Sequence, residues 1–306
     1  MGLIRPKVRV GSCQDFNLSS GPARGHHGSR LARAGVTNRR DDGLSNQGRG
    51  ARRVADGPMP FTAERLQRLA DIERWHFWFV GRRRLIDRLV GRYLPGPPAT
   101  LLDAGCGTGA TLEWLAARGY RVTGCDQRPE GLGQVRAVSA GVFQADVTRL
   151  PVPGQQFDAA FSLDVIEHVD DRAAIGELVR VLKPGAHLVV SVPAMPSLWS
   201  YRDEAAGHRR RYTRAGLLTL LRSFHLDVQY VGYYQCLLLP LVMATRWLGS
   251  RNPVWRDRED LPHPVINAAL TLVARLDARL GRVVGWPCGS SLVAVCRTPA
   301  GSPEAE

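Results

Sequence analysis

The chain has 306 residues, 44% of them hydrophobic, which is enough for one large domain or two small ones. The formal net charge is +13, but only two of the 41 basic residues are lysines and residues 1–58 carry +7 of that charge. Such arginine dominance is typical of codon bias in a GC-rich genome, so we expect no nucleic-acid partner. The six cysteines form no C-x-x-C pair, which disfavours a zinc site and a disulfide framework and indicates a reducing, cytoplasmic location.

Both ends of the chain have the composition of disordered segments. Residues 1–58 are rich in Gly, Arg, Ser and Asn and lack hydrophobic periodicity, which predicts a disordered tail. A helical pattern begins directly after Met59, so we expect the natural protein to start there and the tail not to belong to it. Residues 299–306 are predicted to form a second disordered tail. No apolar run reaches the roughly 18–20 residues of a membrane span, and no stretch resembles a signal peptide.

The predicted elements begin with a helical unit over residues 59–98, in which one helix covers 61–94 and ends at Pro95-Gly96-Pro97-Pro98. Short apolar runs then alternate with helical patterns. The predicted strands cover 100–103, 121–125, 141–145, 157–163, 186–192, 226–234 and 290–295. The predicted helices cover 108–118, a weak stretch after Pro129, the region from 164 to 182, and 213–223. This alternation predicts an α/β fold, a Rossmann-like, doubly wound sheet of seven mostly parallel strands formed by residues 99–234 and 286–298.

Residues 235–285 interrupt the alternation before the last strand. They contain two helical patterns, one at 236–248 that is apolar almost all round and one at 265–283 with a single apolar stripe. We interpret this insertion as an internal helical subdomain. A cover for a hydrophobic substrate, a peripheral membrane contact through 236–248 and a dimer contact are the alternatives. The sequence leaves the oligomeric state open.

A glycine-rich segment lies between the first predicted strand and its helix. It reads Leu101-Leu102-Asp103-Ala104-Gly105-Cys106-Gly107-Thr108-Gly109. Glycines there allow positive φ and a close approach of backbone to ligand, and a helix N-terminus offers unpaired N–H groups. Gly105-x-Gly107-x-x-Ala110 also fits a relaxed dinucleotide fingerprint, with Asp126 lying 21 residues beyond Gly105. The glycines alone therefore leave two nucleotide cofactors open.

The same segment resembles motif I of the class I S-adenosylmethionine-dependent methyltransferases, which is apolar-apolar-Asp-x-Gly-x-Gly-x-Gly. Further matches are the fourth strand, Phe157–Leu163 followed by Asp164, and the turn Lys183-Pro184-Gly185 at the fifth. The chain is similar to a small-molecule branch of that family that includes ubiquinone O-methyltransferases and bacterial relatives, over about residues 61–297. The resemblance implies S-adenosylmethionine as the cofactor.

The resemblance also implies where the cofactor lies. Asp103 and the glycines would line its methionyl end, Asp126 its ribose and Asp146 its adenine, while Arg82 would hold its carboxylate. Carboxylates are acceptors, which suits a ligand that presents an ammonium, a diol and an exocyclic amine. The predicted cofactor-binding residues are Arg82, Asp103, Gly105, Cys106, Gly107, Gly109, Asp126, Gln127, Asp146, Val147 and Leu163.

Asp164-Val165-Ile166-Glu167-His168 is predicted to begin the next helix, which would put residues 164, 167 and 168 on one face. We expect His168 to act as a general base there, with Asp164 as the second catalytic residue. Two alternatives remain open: the trio binds a divalent metal, or Glu167 and His168 only brace the helix. The prediction is that no metal is bound.

Two aromatic and basic clusters are candidates for substrate contacts. Trp75-His76-Phe77-Trp78-Phe79 is predicted to belong to a lid over the cofactor, with simple core packing as the alternative. The loop after the fifth strand carries Gly207-His208-Arg209-Arg210-Arg211-Tyr212, which could bind an anionic substrate or form a solvated arginine run. The predicted substrate contacts are Trp78, Phe79, Trp199, His208, Arg211 and Tyr212.

These patterns together predict an S-adenosylmethionine-dependent methyltransferase that acts on a small-molecule or lipid-like acceptor, at oxygen. A cofactor-binding protein without catalysis and an NAD-dependent oxidoreductase are the alternatives.

Overall fold

The computed structural model describes residue 67 and residues 70–135, 141–251 and 263–300. The predictions on the tail 1–58, on a start at Met59 and on residues 301–306 lie outside the described residues. The first described helix, α1, covers Phe77–Tyr93. None of the helices in the described part of the chain combines the length and apolarity needed to cross a membrane.

Seven strands form one sheet in the order β3-β2-β1-β4-β5-β7-β6. Strand β7 is antiparallel to both its neighbours, and the other pairs are parallel. The strands are β1 (Thr100–Ala104), β2 (Arg121–Asp126), β3 (Gly141–Gln144), β4 (Phe157–Leu163), β5 (Leu182–Pro193), β6 (Asp227–Tyr234) and β7 (Ser291–Arg297). This confirms the predicted seven-stranded, mostly parallel, Rossmann-like sheet. Strand β5 includes Lys183-Pro184-Gly185, and Gly185 there has φ +73°.

Helices cover both faces of the sheet and form the insertion. After α1 they are α2 (Ala110–Ala116), α3 (Pro129–Leu132), α4 (Asp171–Val181), α5 (Tyr201–Ala206), α6 (Arg214–Arg222), α7 (Leu239–Arg251) and α8 (Pro264–Val284). Helices α7 and α8 correspond to the two predicted helices of the insertion. Adjacent residues of one strand, such as Leu101 and Leu102, belong to opposite core layers and are both fully buried. Because both faces of the sheet are covered, the sequences of its strands are continuous apolar runs.

The predicted continuous helix over 61–94 is wrong in its described part. Residues 70–72 are helical, a turn follows at 73–75, and α1 begins only at Phe77. His76 has extended backbone angles and its side chain accepts a hydrogen bond from Trp78 N, so it acts as an N-cap that separates the two helical segments. The turn directs the aromatic segment across the carboxyl ends of the strands.

The insertion packs on this aromatic segment. Asn267 of α8 donates from Nδ2 to Trp75 O at 3.0 Å and accepts at Oδ1 from Phe77 N at 2.9 Å. A Cβ on Gly81 of α1 would lie 3.0 Å from the Cβ of Ala274, so the two helices are in close contact. Helix α8 therefore holds the start of α1 in place.

The helix predicted to begin at Asp164 is also wrong. Asp164 has φ +60°, Ile166–His168 form a single 3₁₀ turn, and α4 starts at Asp171 with Asp170 as its N-cap. Residues 164, 167 and 168 consequently do not share a helical face. The Asp170 carboxylate caps α4 by accepting from Arg172 N and Ala173 N, which fixes the start of the helix there.

Candidate active site

A cavity of about 780 Å³ opens at the carboxyl ends of β1, β4 and β5. Ligands of open α/β sheets bind at this edge. The glycine-rich loop, the loop after β4, the start of α1 and both insertion helices contribute to its walls. One end is therefore polar and made by the sheet, and the other is made by the insertion.

The glycine-rich loop is held tightly by β2. The N–H groups of Gly105 and Cys106 both donate to Cys125 O, at 2.7 and 2.9 Å. Gly105 has φ +85°, and a Cβ at that position would lie 2.3 Å from Val165. Only glycine fits a position with both constraints. Gly107 N donates to Asp126 Oδ2 at 2.9 Å, which ties the loop to the end of β2.

Asp103, at the end of β1, presents a buried acceptor without a partner. Its Oδ2 has no hydrogen-bond donor among the described residues. Burial raises the pKa of Asp103 to about 7, against the opposing effect of Arg82 and with a further rise from Asp126. An unpaired buried carboxyl facing a cavity suits a ligand ammonium group, which would supply the missing donor.

Arg82 of α1 lies in the cavity wall but already has a carboxylate partner. Its guanidinium contacts Asp164 Oδ2 at 2.5 Å, and Asp164 Oδ1 accepts from Ser191 Oγ at 2.8 Å. The positive φ of Asp164 turns its side chain toward α1. Asp164 is thus placed between β5 and α1, where it orients Arg82.

Sequence reasoning missed Glu73. Its Oε1 accepts from Thr108 Oγ1 at 2.5 Å and from Ala110 N at 3.2 Å, so it joins the segment before α1 to the glycine-rich loop. Burial raises the pKa of Glu73, partly offset by these hydrogen bonds. Because its partners lie more than 30 residues away along the chain, no local pattern marks Glu73.

The other predicted cofactor residues lie at the same sheet edge but outside the cavity lining. Asp126 accepts from Gly107 N and Arg128 N, and Asp146 accepts from Thr148 N at 2.8 Å. Val147 is buried, and Asp126 stands opposite Gln144 in the β2–β3 pairing. The predicted residues that line the cavity are Arg82, Asp103, Gly105, Cys106, Gly107 and Leu163; those that do not are Gly109, Asp126, Gln127, Asp146 and Val147.

A buried ion-pair centre lies on the opposite side of the cavity. Asp203 of α5 accepts from Arg211 at 2.7 Å and from Nδ1 of His208 at 2.8 Å. Burial alone would raise the pKa of Asp203, but His208 and Arg211 outweigh it and hold the pKa well below its ordinary value. Arg211 also donates to the carbonyl oxygens of Ala194 and Ser290. With Nδ1 of His208 bonded to Asp203, its Nε2 is the ring nitrogen left for the cavity.

His168 and Glu167 lie next to His208. The two imidazole rings are 4.8 Å apart, and His168 Nδ1 is 3.3 Å from Gly207 O. Burial, with a contribution from His208, lowers the pKa of His168 to about 4. Glu167 is fully buried, 3.9 Å from His208 Nε2, and neither of its carboxyl oxygens has a hydrogen-bond partner among the described residues.

A divalent cation could use one cluster at this site. Ligand atoms of Glu167, His168 and His208 lie within 4.8 Å of one another. Imidazole nitrogens and a carboxylate oxygen are ligands that divalent transition metals accept. Asp164, the third member of the trio considered from the sequence, instead pairs with Arg82.

Four of the six predicted substrate contacts line the cavity, namely Trp78, Phe79, His208 and Arg211. Tyr212 does not, because its hydroxyl donates to Asp171 Oδ2 at 2.8 Å and its ring is buried in the core. Trp199 is 42% exposed and lies outside the lining. The sequence placed both near the cavity only because their loop follows β5.

The insertion lines the far end of the cavity mainly with apolar side chains, which are those of Leu238, Leu241, Val242, Ile266 and Leu270. Thr245, Arg246 and His263 of the insertion also line the cavity. These residues give the insertion a direct part in the site. The alternative considered from the sequence, a cover for a hydrophobic substrate, agrees with this placement.

Glu167→Gln is expected to raise the melting temperature, and more at pH 7 than at pH 5. Burial, and then Asp164, raise the pKa of Glu167 well above its ordinary value, so the folded state keeps a proton that the unfolded state releases. Stability is therefore lost as pH rises above the unfolded pKa of about 4.3, at up to about 1.4 kcal/mol per pH unit. Glutamine is neutral throughout and removes that loss.

Thermal unfolding of the wild type and the variant at both pH values measures this effect. Glu204→Gln, at an exposed position of α5, is the matched control and should leave the difference between the two pH values unchanged. An equal gain at pH 5 and pH 7 for Glu167→Gln would show that Glu167 is ionised in the folded protein.

The fold, the glycine-rich loop and the cavity define a nucleotide-cofactor-binding α/β protein of the Rossmann-like class. Residues 102–190 match the family model for a methyltransferase domain. A protein of Mycolicibacterium smegmatis named "Probable S-adenosylmethionine-dependent methyltransferase" is 30% identical over 180 residues, covering 56% of this chain and 66% of the relative. The malonyl-[acyl-carrier protein] O-methyltransferase of Serratia marcescens is 36% identical over 125 residues, or 40% and 49% of the two chains.

A solved structure gives the same fold. It is a complex between the Haloferax volcanii Trm112 methyltransferase activator and a methyltransferase, with a TM-score of 0.52 and 18% identity over 79% of this chain and 96% of that one. The chain spans about half to two thirds of the length of the curated relatives it matches. It belongs to the class I S-adenosylmethionine-dependent methyltransferase family, whose cofactor is S-adenosylmethionine. This confirms the predicted family and cofactor over the dinucleotide alternative.

Proposed function

We propose that this protein transfers the methyl group of S-adenosylmethionine to a hydroxyl oxygen of a small-molecule or lipid-like acceptor. The observation that supports this most directly is the cavity itself. It joins the glycine-rich loop and the unpaired Asp103 carboxyl to a histidine held by a buried aspartate, and it continues into an apolar chamber. The relative from Serratia marcescens, by its name, also methylates oxygen.

The cofactor would occupy the polar end. Asp103 Oδ2 would accept from its ammonium group. Asp126 would accept hydrogen bonds from its ribose hydroxyls, and Asp146 would accept one from its adenine amino group. Arg82, already paired with Asp164, is positioned to hold its carboxylate. When bound there, S-adenosylmethionine supplies the activated methyl group.

His208 is our choice for the general base. A hydroxyl acceptor must lose its proton during the transfer, and His208 lines the cavity with its Nδ1 held by Asp203, which leaves Nε2 to accept that proton. The buried Asp203 carboxylate stabilises the imidazolium that forms, as an aspartate does when it orients a catalytic histidine. His168, with a pKa lowered to about 4, is a weaker base than an ordinary histidine.

The acceptor would lie between His208 and the apolar chamber. Phe77, Trp78, Leu238, Leu241 and Ile266 all line the cavity. Such a chamber favours an acceptor with a large apolar part and one polar end. Positioning the hydroxyl against the methyl group is where most of the rate enhancement would arise, since orientation contributes about 7–11 kcal/mol.

An acceptor screen with methyl-labelled cofactor tests the proposal. Matched panels carry a hydroxyl, a carboxyl or an amine on the same aromatic or isoprenoid body. We expect label in the hydroxyl compounds, with longer apolar chains giving higher kcat/KM. Transfer to the amine panel alone would contradict the assignment to oxygen.

A further inference from the structure

We propose that the exposed apolar face of α7 and α8 binds the surface of an anionic lipid bilayer and that the acceptor enters the cavity from there. The membrane contact stands on the surface of the insertion alone. The route of the acceptor rests on the proposed function.

Exposed large apolar side chains are concentrated in the insertion. Outside it, the described residues contain only two, Trp75 and Trp199. Apart from Leu237, those of the insertion form what we call the exposed apolar face: Leu241, Met243, Trp247, Val265, Ile266, Leu272, Leu276, Leu280, Val283 and Val284. Concentrations of exposed apolar side chains mark interaction surfaces, because isolated proteins rarely expose large apolar patches.

Helix α8 has a buried side and an exposed apolar side. Its buried residues, among them Asn267, Ala274 and Ala278, face α1 and the body of the protein. At about 100° per residue, the exposed apolar residues of α8 cover an arc of about 120° on another side. Leu272 is 66% exposed and Val283 is 78% exposed, so this arc has little contact with the rest of the chain.

In the described part of α7 and α8, the exposed charged side chains are all positive. Arg275 and Arg279 are exposed on α8, and Arg251 is exposed at the end of α7. The one acidic residue of the two helices, Asp277, is 2% exposed and accepts from Gln235 N and Leu237 N. An apolar arc bordered by arginines is the pattern of a helix that lies in the plane of a membrane interface.

This charge pattern favours a bilayer over a second copy of the chain. A symmetric dimer through the exposed apolar face would bring the arginines of two copies close together, which is unfavourable. Anionic headgroups would instead neutralise Arg275 and Arg279 while the apolar arc enters the acyl boundary.

The exposed apolar face is continuous with the cavity. Leu241 of α7 and Ile266 of α8 both line the cavity, yet they are 41% and 54% exposed. An acceptor with an apolar chain could therefore pass from a bilayer to the chamber beside His208 without crossing water.

Flotation with vesicles tests the contact directly. The wild type should bind vesicles of phosphatidylcholine and phosphatidylglycerol in equal parts and bind phosphatidylcholine alone much more weakly. Leu272→Ser together with Leu276→Ser should weaken binding on the order of a hundredfold, because two apolar side chains no longer enter the lipid. Arg275→Ala together with Arg279→Ala should weaken vesicle binding about thirtyfold, at roughly fivefold per arginine. Added salt should also weaken the binding of the wild type.

The matched control removes two arginines elsewhere. Arg214→Ala together with Arg222→Ala changes the net charge equally on exposed positions of α6 and should leave binding near that of the wild type. Equal losses in both arginine pairs, or unchanged binding of the leucine pair, would overturn the proposal. So would a concentration-dependent dimer in sedimentation that dissociates on Leu272→Ser with Leu276→Ser, which would assign the face to a second copy.

The vesicles contain neither cofactor nor acceptor, so the result does not depend on methyl transfer. Vesicle binding without transfer to any hydroxyl acceptor would contradict the proposed function and leave the membrane contact standing. Transfer to soluble hydroxyl acceptors without vesicle binding would contradict the membrane contact and support the proposed function.

Discussion

His208→Asn is expected to lower kcat on the order of 10²–10⁴-fold, while the affinity for S-adenosylhomocysteine stays near that of the wild type. Asparagine can keep a hydrogen bond to Asp203 Oδ1, which His208 now makes at 2.8 Å, but it has no counterpart of Nε2. The buried Asp203–Arg211 pair would thus remain intact. The loss would therefore report the proton acceptor rather than the collapse of the site.

Two comparisons make this result specific. His187→Gln changes a histidine of β5 outside the cavity and should leave kcat unchanged. His168→Gln should lower kcat less than His208→Asn does. A larger loss for His168→Gln would identify His168 as the general base, as the sequence predicted. A chelator should not alter the rate if His208 acts as a base, whereas inactivation reversed by a divalent cation would assign the Glu167–His168–His208 cluster to a metal.

Asp126→Ala should weaken the binding of S-adenosylhomocysteine on the order of a hundredfold in titration calorimetry. The Asp126 carboxylate accepts from Gly107 N and Arg128 N, and its proposed ligand contact is the ribose diol. Losing the diol contact and the anchor of the glycine-rich loop would remove about 3 kcal/mol, since hydrogen bonds to charged groups contribute roughly 1.5–3 kcal/mol each.

Asp158→Ala is the control for this prediction. Asp158 also lies on a parallel strand and accepts a backbone N–H, from Thr100 at 2.8 Å, but it stands near the opposite ends of β1 and β4. Its replacement should cost stability without a comparable loss of affinity. Similar affinities for Asp126→Ala and the wild type would place the ribose elsewhere.

The sequence predicted the sheet well because buried strands and glycine turns are local signals. Each predicted strand matches an observed one, and the order of motifs led to the family. Local pattern failed where tertiary contacts decide the backbone. Asp164 takes φ +60° because its carboxylate bonds to Ser191 and pairs with Arg82, and no helical periodicity reports those partners.

The candidate site could be predicted only in part for the same reason. Asp103 and the glycines stand in one short segment, so spacing found them. Glu73 meets the glycine-rich loop from a distant segment, and the Asp203–His208 bond joins a helix to the loop that follows it. Tyr212 was predicted to contact the substrate because it follows three arginines, yet its hydroxyl donates a hydrogen bond to Asp171.

The two hydrogen bonds from Asn267 have a kinetic consequence. Asn267 is hydrogen-bonded to Trp75 O and Phe77 N, so it holds the backbone on both sides of the N-cap residue His76. If the aromatic segment forms a lid over the cofactor, as the sequence predicts, its opening for release of spent cofactor must either break both bonds or carry α8 along. The turnover of such an enzyme can be limited by opening rather than by chemistry. A side-chain amide in the insertion would then set the dwell time of the cofactor at a loop nearly 160 residues earlier in the chain.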